Sequence, residues 1–356
     1  MDRDDILSWL REQDPGRLQT LWERADRTRR RYVGDEVHLR GLVEISNFCR
    51  RECGYCGVHR SNGEIVRYRM THEEVLQSAQ TAARIGCNTV VLQAGEDPGL
   101  TTSFIEQLIS VIKKETGLAI TLSLGERAVA ELERFRAAGA DRYLLRFETS
   151  NAELLHRIHP PLTDGAPSRI DLLVELRRLG YEIGSGVMVG VPGTRFEDLA
   201  RDIELFRELD LDMIGVGPYI AHPNTALRRS DFGALPTDPV PATPLMAYKT
   251  VALARLVCPQ ANIPATTALA TADVAQGRRL GLQRGANVWM PNLTPVAYRW
   301  LYEIYPGKGG VACSPPSEEL DVRSFVASLG RRVGAGRGDS PRYLARVMPV
   351  HPCSQG

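Results

Sequence analysis

The stretch Val37-His-Leu-Arg-Gly-Leu-Val-Glu-Ile-Ser46 runs directly into Asn47-Phe-Cys49-Arg-Arg-Glu-Cys53-Gly-Tyr55-Cys56. Its first half has the β-branched content and period-2 alternation of a strand. Its second half places three thiols immediately beyond the strand's C-terminal end. Parallel α/β barrels carry their catalytic groups at that end of their strands.

Working outward, the same rhythm repeats. Further strands are expected at 89–93, 119–124, 143–148, 183–189, 213–219, 263–269 and 286–291. Amphipathic helices are expected between them at 71–85, 103–116, 127–138, 168–179, 196–209, 244–257 and 272–284. Thr71-His-Glu-Glu74 reads as a capping box opening the first of these helices. Strands separated by helical crossovers pair in parallel. Eight such units predict an α/β fold of the complete (βα)8 TIM type over residues 36–312. An N-terminal helical extension (1–35) and a C-terminal helix with a Gly/Arg/Pro-rich tail (313–356) would pack on that barrel. An open doubly wound sheet is the alternative, but no Gly-rich dinucleotide fingerprint follows the first strand.

The 356 residues include 43% hydrophobic and 24% charged, ordinary for a globular protein with a large core. Lys+Arg 44 against Asp+Glu 43 leaves a net charge of +1, so no global field recruits nucleic acid or an anionic membrane. The basic run 24–31 reads as the solvated face of a helix. No apolar stretch approaches the roughly 18 residues that span a bilayer, and the acidic N-terminus is unlike a signal peptide. A cytoplasmic location is expected. The odd count of 7 cysteines, three of them crowded together, points to reduced, metal-binding thiols rather than disulfides.

Cys49-x-x-x-Cys53-x-x-Cys56 supplies three ligands for a 4Fe–4S cube and leaves the fourth iron open, as a catalytic metal site requires. Structural zinc would need a fourth ligand. No fourth Cys stands at ribbon spacing, and His59 lacks a mate. The aromatic Tyr55 immediately before the last thiol strengthens the cluster reading.

With these residues the chain resembles the radical S-adenosylmethionine (SAM) superfamily, and within it the HydE-type FeFe-hydrogenase maturases. Segments spread over the whole barrel carry the resemblance. They are the cysteine motif, Arg67-Tyr-Arg-Met-Thr71, Leu92-Gln-Ala-Gly-Glu-Asp97-Pro, Leu122-Ser-Leu-Gly-Glu126 and Arg142-Tyr-Leu-Leu-Arg-Phe-Glu-Thr149, followed by Gly190-Val-Pro-Gly193, Ile263-Pro-Ala-Thr-Thr-Ala268 and Met290-Pro-Asn-Leu-Thr-Pro295. The resemblance implies one 4Fe–4S cluster and SAM as cofactors, cleavage of SAM to a 5′-deoxyadenosyl radical, and an iron–cysteine carbonyl/cyanide complex as organometallic substrate. It also implies an electron donor such as ferredoxin or flavodoxin, and other hydrogenase maturases as partners.

Polar residues at the ends of buried strands carry information, because parallel strands are normally apolar. Arg146 and Glu148, two apart on the fourth strand, are expected on the same inward side. They are either a structural ion pair or, as the resemblance implies, SAM contacts. Gln93, Gly95 and Glu96 close the second strand, where Gly95 permits close backbone approach and the acceptors suit the SAM ammonium. Ser123 and Glu126 suit ribose hydroxyls, or else cap the next helix. The resemblance makes Arg169 a partner for the SAM carboxylate and packs Met188 on the adenosyl group. It also places Thr266, Thr267, Met290, Tyr302 and Tyr305 around the substrate cavity, with Tyr302 nearest SAM.

One departure stands out. Some relatives hold a second cluster on three closely spaced Cys near the end of the barrel, whereas here only Cys313 lies there and Cys353 is far beyond. A second cluster is not expected, which weighs against biotin synthase chemistry. Cys87 and Cys258 read as inert core thiols. The rival functions are a methylornithine synthase-like amino-acid mutase and a non-catalytic iron–sulfur scaffold.

Overall fold

The computed structural model describes residues 1–163, 167–229, 236–308 and 319–348. Helices α1 (Arg3–Arg11) and α2 (Pro15–Val33) start on aspartate caps, Asp2 accepting from Asp5 N and Asp14 from Arg17 N. The alternating region follows as β1 (Glu36–Ser46), α3 (His72–Arg84), β2 (Thr89–Ala94), α4 (Thr102–Thr116), β3 (Ala119–Ser123), α5 (Val129–Ala137) and β4 (Arg142–Leu144). It continues through α6 (Ala152–Ile158), α7 (Arg169–Arg178), β5 (Glu182–Val189), α8 (Phe196–Glu208), β6 (Met213–Pro218), α9 (Ala226–Arg229) and α10 (Pro244–Val257). The last elements are α11 (Thr267–Ala272), α12 (Gly277–Gln283), β7 (Val288–Trp289), α13 (Val296–Arg299), α14 (Glu319–Ser328), β8 (Arg332–Val333) and α15 (Pro341–Val347). The capping box forms as expected, Thr71 N donating to Glu74 Oε2 at 2.8 Å.

The strands form a parallel arc in the order β6-β5-β4-β3-β2-β1-β7, with β8 also paired to β1. The regular eight-unit barrel expected from the sequence is therefore corrected in two places. Residues 263–269 form no strand: Asn262 and Pro264 make only isolated parallel bridges, to Met213 and Val288, and α11 begins at Thr267. The sheet's remaining strand is β8, two residues from the C-terminal tail, paired through Glu36↔Arg332 and Val37↔Val333.

β1 shows how the pattern positions chemistry. Val37, Leu39, Val43 and Ile45 are buried in the apolar core, while the alternate residues face the interior. Arg40 crosses that interior to Met213 Sδ (2.8 Å) and donates to Gly338 O (2.9 Å). The tail around Gly338 seals the N-terminal end of the strands. Arg142, fully buried, pairs with Glu182 and Asp339 and donates to Thr89 Oγ1 at 2.9 Å. Ser340 N donates to Glu182 Oε1 at 2.9 Å.

The basic run is only partly a solvated face. Arg29 is 1% exposed and pairs with Asp26 (2.8 Å) and Asp35 (3.2 Å). Among the described residues no helix is long and apolar enough to cross a membrane. Cys313 and Cys353 lie outside the described residues.

Candidate active site

Cys49, Cys53 and Cys56 lie on the loop that leaves β1, and fixed backbone contacts give this loop its shape. Arg67 reaches back through it, donating to Asn47 O (2.6 Å), Val58 O (2.8 Å) and His59 O (2.7 Å). Asn47 Nδ2 ties the same loop to Val66 O and Leu301 O, both at 2.8 Å. Two glycines are needed for close approach. A Cβ on Gly57 would stand 2.2 Å from Glu303 O, and one on Gly95 would stand 2.3 Å from Phe48 O and 2.8 Å from the Cys49 Cβ. Gly95 thus lets the end of β2 lie against the thiol loop. His59 is committed elsewhere, its Nε2 lying 2.9 Å from Asn224 O.

Cys53 is buried, whereas Cys49 and Cys56 are half-buried. Burial pushes the Cys53 thiol up to about 12 and raises the other two, with Cys49 adding to the rise at Cys53 and both of these adding to it at Cys56. Three such sulfurs are poor thiolates alone. A cationic metal centre reverses that preference and fits the donor set.

Beside the thiols lies a charged group that the sequence reading only half anticipated. Arg169 Nε donates to Glu126 Oε1 at 2.8 Å, and its Nη1 donates to Arg146 O at 2.7 Å. Arg51 reaches Glu126 at 3.3 Å and Glu96 at 3.8 Å. His159 bridges Cys53 and Glu126, with Nδ1 3.0 Å from Cys53 Sγ and Nε2 2.8 Å from Glu126 Oε1. Burial would raise the Glu126 carboxyl, but His159, Arg169 and Arg51 hold it down to about 2. Glu96 stays raised by burial despite Arg51. Burial lowers His159 to about 4, so its ring is neutral near pH 7. Glu96, Glu126 and His159 sit close enough to ligate a metal ion. Arg51 and Arg169 already neutralise those carboxylates, which argues against a metal ion held by all three.

On the facing wall Arg146 and Glu148 lie beyond the end of β4, not within it. Glu148 has φ 65°, a left-handed conformation rare outside glycine, and this turn re-aims it into the cavity. The two pair at 3.1 Å, yet Arg146 Nε, Arg146 Nη2 and Glu148 Oε2 have no hydrogen-bond partner among the described residues. Arg51 Nε and Glu96 Oε2, which face each other at 3.8 Å, and Tyr219 OH are likewise buried without a hydrogen bond among the described residues. Buried polar atoms are normally satisfied. Their concentration around one cavity fits a polar, charged cofactor such as SAM.

Cys49, Cys53, Cys56, Tyr55, Gln93, Gly95, Glu96, Ser123, Arg146, Glu148, Arg169, Met188, Tyr302 and Tyr305 all line this cavity. Glu126 stands behind it, opening on an adjoining cleft with Arg50 and Asp97. Thr266, Thr267 and Met290 are not among the lining residues. Thr266 instead caps α11, accepting from Leu269 N, and donates to Val216 O at 2.9 Å, while Ala268 reaches the cavity. Sequence reasoning missed His159 and Arg51. The one signal for His159 was its place before Pro160-Pro161, where a chain must leave its helix.

The radical SAM superfamily model matches residues 43–217. The HydE subunit of the [FeFe]-hydrogenase maturase of Thermotoga maritima is 43% identical over 97% of this chain and 95% of its own length. The 3-methylornithine synthase of Methanosarcina acetivorans is 28% identical over 80% of this chain and 77% of its own. A crystal structure of methylornithine synthase superposes with a TM-score of 0.77 at 24% identity, covering 93% of this chain and 94% of that one, a likeness of fold. With three thiols and buried charged groups that keep atoms free of hydrogen bonds around one cavity, the chain belongs to the radical SAM superfamily and, within it, to the HydE family of SAM-dependent enzymes.

Proposed function

We propose that this protein acts in maturation of the di-iron subcluster of FeFe-hydrogenase, using a single 4Fe–4S cluster on Cys49, Cys53 and Cys56 and SAM bound beside it. The observation that carries this reading is the set of buried atoms without a hydrogen bond on Arg146, Glu148, Glu96 and Arg51, lining one cavity with the three thiols. When bound, a cluster with one open iron supplies the electron that splits SAM into methionine and a 5′-deoxyadenosyl radical.

The chain's own residues select and orient. Glu96 offers an acceptor to an ammonium and Ser123 and Glu126 offer theirs to ribose hydroxyls, while Arg169 offers a planar fork to a carboxylate. Arg146 and Glu148 hold the opposite side of the same ligand. Tyr302 and Gln93 both line the cavity. Leu144, Leu145, Met188, Ala268 and Ile304 keep the rest apolar, which excludes water from a reactive radical. We read the Asn262–Pro264 bridges as completing the barrel around this space. The substrate is an iron–cysteine complex bearing carbonyl and cyanide, and the reductant is a ferredoxin or flavodoxin.

The test is complementation. Cells that express an FeFe-hydrogenase and its other maturases, but lack their own HydE, should regain hydrogen uptake with this chain and not with its Cys53→Ala variant. Failure to restore hydrogenase by a soluble, cluster-loaded protein, with consumption of free lysine instead, would transfer the chain to the mutase class.

A further inference from the structure

At the opposite end of β1 from Cys49, a groove of about 610 Å³ opens between α2, α12 and the turn before β8. Its charges do not balance. Asp26 and Asp35 are both taken up by Arg29, at 2.8 and 3.2 Å, and by Arg30, at 3.6 and 3.5 Å. Glu23 accepts from Gln19 at 2.9 Å. Arg27, Arg284 and Arg331 line the same groove with no carboxylate at ion-pair distance among the described residues, Asp273 acting on Arg284 only from farther off.

Two of these three guanidiniums are fixed in place. Arg284 is sandwiched between the rings of Trp22 and Tyr248, 4.4 Å from each centroid, and no hydrogen bond engages its N–H edge among the described residues. Arg331 is 8% exposed and donates to Leu282 O, Ala286 O and Glu36 O, which leaves its Nε unpartnered. Burial and the nearby Arg29 lower Arg331 to about 9, with Asp26 and Asp35 only partly opposing them. Fully buried Arg255 behind the groove is lowered to about 9 by burial, with Arg29 and Arg331 adding repulsion. A buried guanidinium without a carboxylate is costly unless an anion completes it. Fixed guanidinium forks suit oxyanions in particular.

We propose that this groove binds a multivalent oxyanion, such as a phosphate ester or a polycarboxylate, held by Arg27, Arg284 and Arg331. The site is separate from the thiol-lined cavity and does not depend on radical chemistry.

Anaerobic isothermal titration of the full chain with pyrophosphate, and separately with citrate, tests it. Sodium chloride at matched ionic strength is the control, and tryptophan fluorescence gives a second readout through Trp22. A saturable response to one anion, absent with chloride, is expected, and the tighter of the two identifies the source class. Affinity should fall at least about 10-fold in Arg284→Gln and in Arg27→Gln, either of which should leave folding intact where Arg331→Met would not. Trp22→Phe should remove the fluorescence change. No saturable response to either anion, or binding unchanged in both arginine variants, would overturn the proposal.

Discussion

Lys308 follows Tyr302 and Tyr305, which line the cavity, and its buried ammonium pairs with Glu44 on β1. Their side chains are 5% and 0% exposed. Glu44 Oε2 has only weak further support, from Asn292 Nδ2 at 3.2 Å and Thr294 Oγ1 at 3.3 Å. Lys308 Nζ also lies 4.8 Å from the centroid of the Tyr302 ring. Lys308→Met therefore strands a buried carboxylate, and breaking such a pair costs about 3–5 kcal/mol. At roughly 2 °C per kcal/mol for a long chain, the melting temperature should drop by about 6–10 °C. Glu44→Gln strands the ammonium and should cost a similar amount. The double variant removes both charges and should cost much less than the sum, giving a coupling energy of at least about 2 kcal/mol. Denaturant unfolding of the four apoproteins under anaerobic conditions measures the cycle. Additive effects, with coupling below about 0.5 kcal/mol, would refute the view that this pair latches the Tyr302 segment onto β1.

Further outcomes follow from other contacts. Burial raises the Asp202 carboxyl to about 7, opposed by Ser150 N, so the folded protein holds a proton that the unfolded chain releases near pH 4. Stability from this group is thus present at low pH and lost as pH rises to 7, by up to about 4 kcal/mol. Asp202→Asn should flatten that slope in denaturation measured from pH 4.5 to 8, and an unchanged slope would contradict it. Gly57→Ala puts a methyl 2.2 Å from Glu303 O and should reduce reconstituted iron per chain severalfold without unfolding the barrel, as read by iron analysis and circular dichroism. Arg169→Lys keeps the charge but loses the two-pronged contact with Glu126 Oε1 and Arg146 O, and should weaken SAM binding by about 10-fold or more at unchanged iron content.

Much of this was legible because it is local. A period-2 run ending in thiols, and the Thr71–Glu74 cap, depend on neighbours in sequence and survive folding unchanged. Residues 263–269 misled for a physical reason. Their apolar, β-branched content suits a strand, but Thr266 uses its hydroxyl to cap α11. β8 is two residues long and exists only through pairing with Glu36 and Val37, nearly three hundred residues away, so no periodicity could mark it. Arg146 and Glu148 do face one cavity, yet by the left-handed turn at Glu148 rather than by strand alternation. His159 is invisible in sequence because its role comes from packing α6 against the thiol loop, where Gly54 N donates to Ile158 O at 2.8 Å.

The most direct test of the central claim is anaerobic reconstitution with iron and sulfide, addition of SAM and dithionite, and chromatographic measurement of 5′-deoxyadenosine. The wild-type chain should produce it, and Cys53→Ala should produce none. A fully loaded wild-type cluster that leaves SAM intact would contradict the account and make the chain an iron–sulfur scaffold.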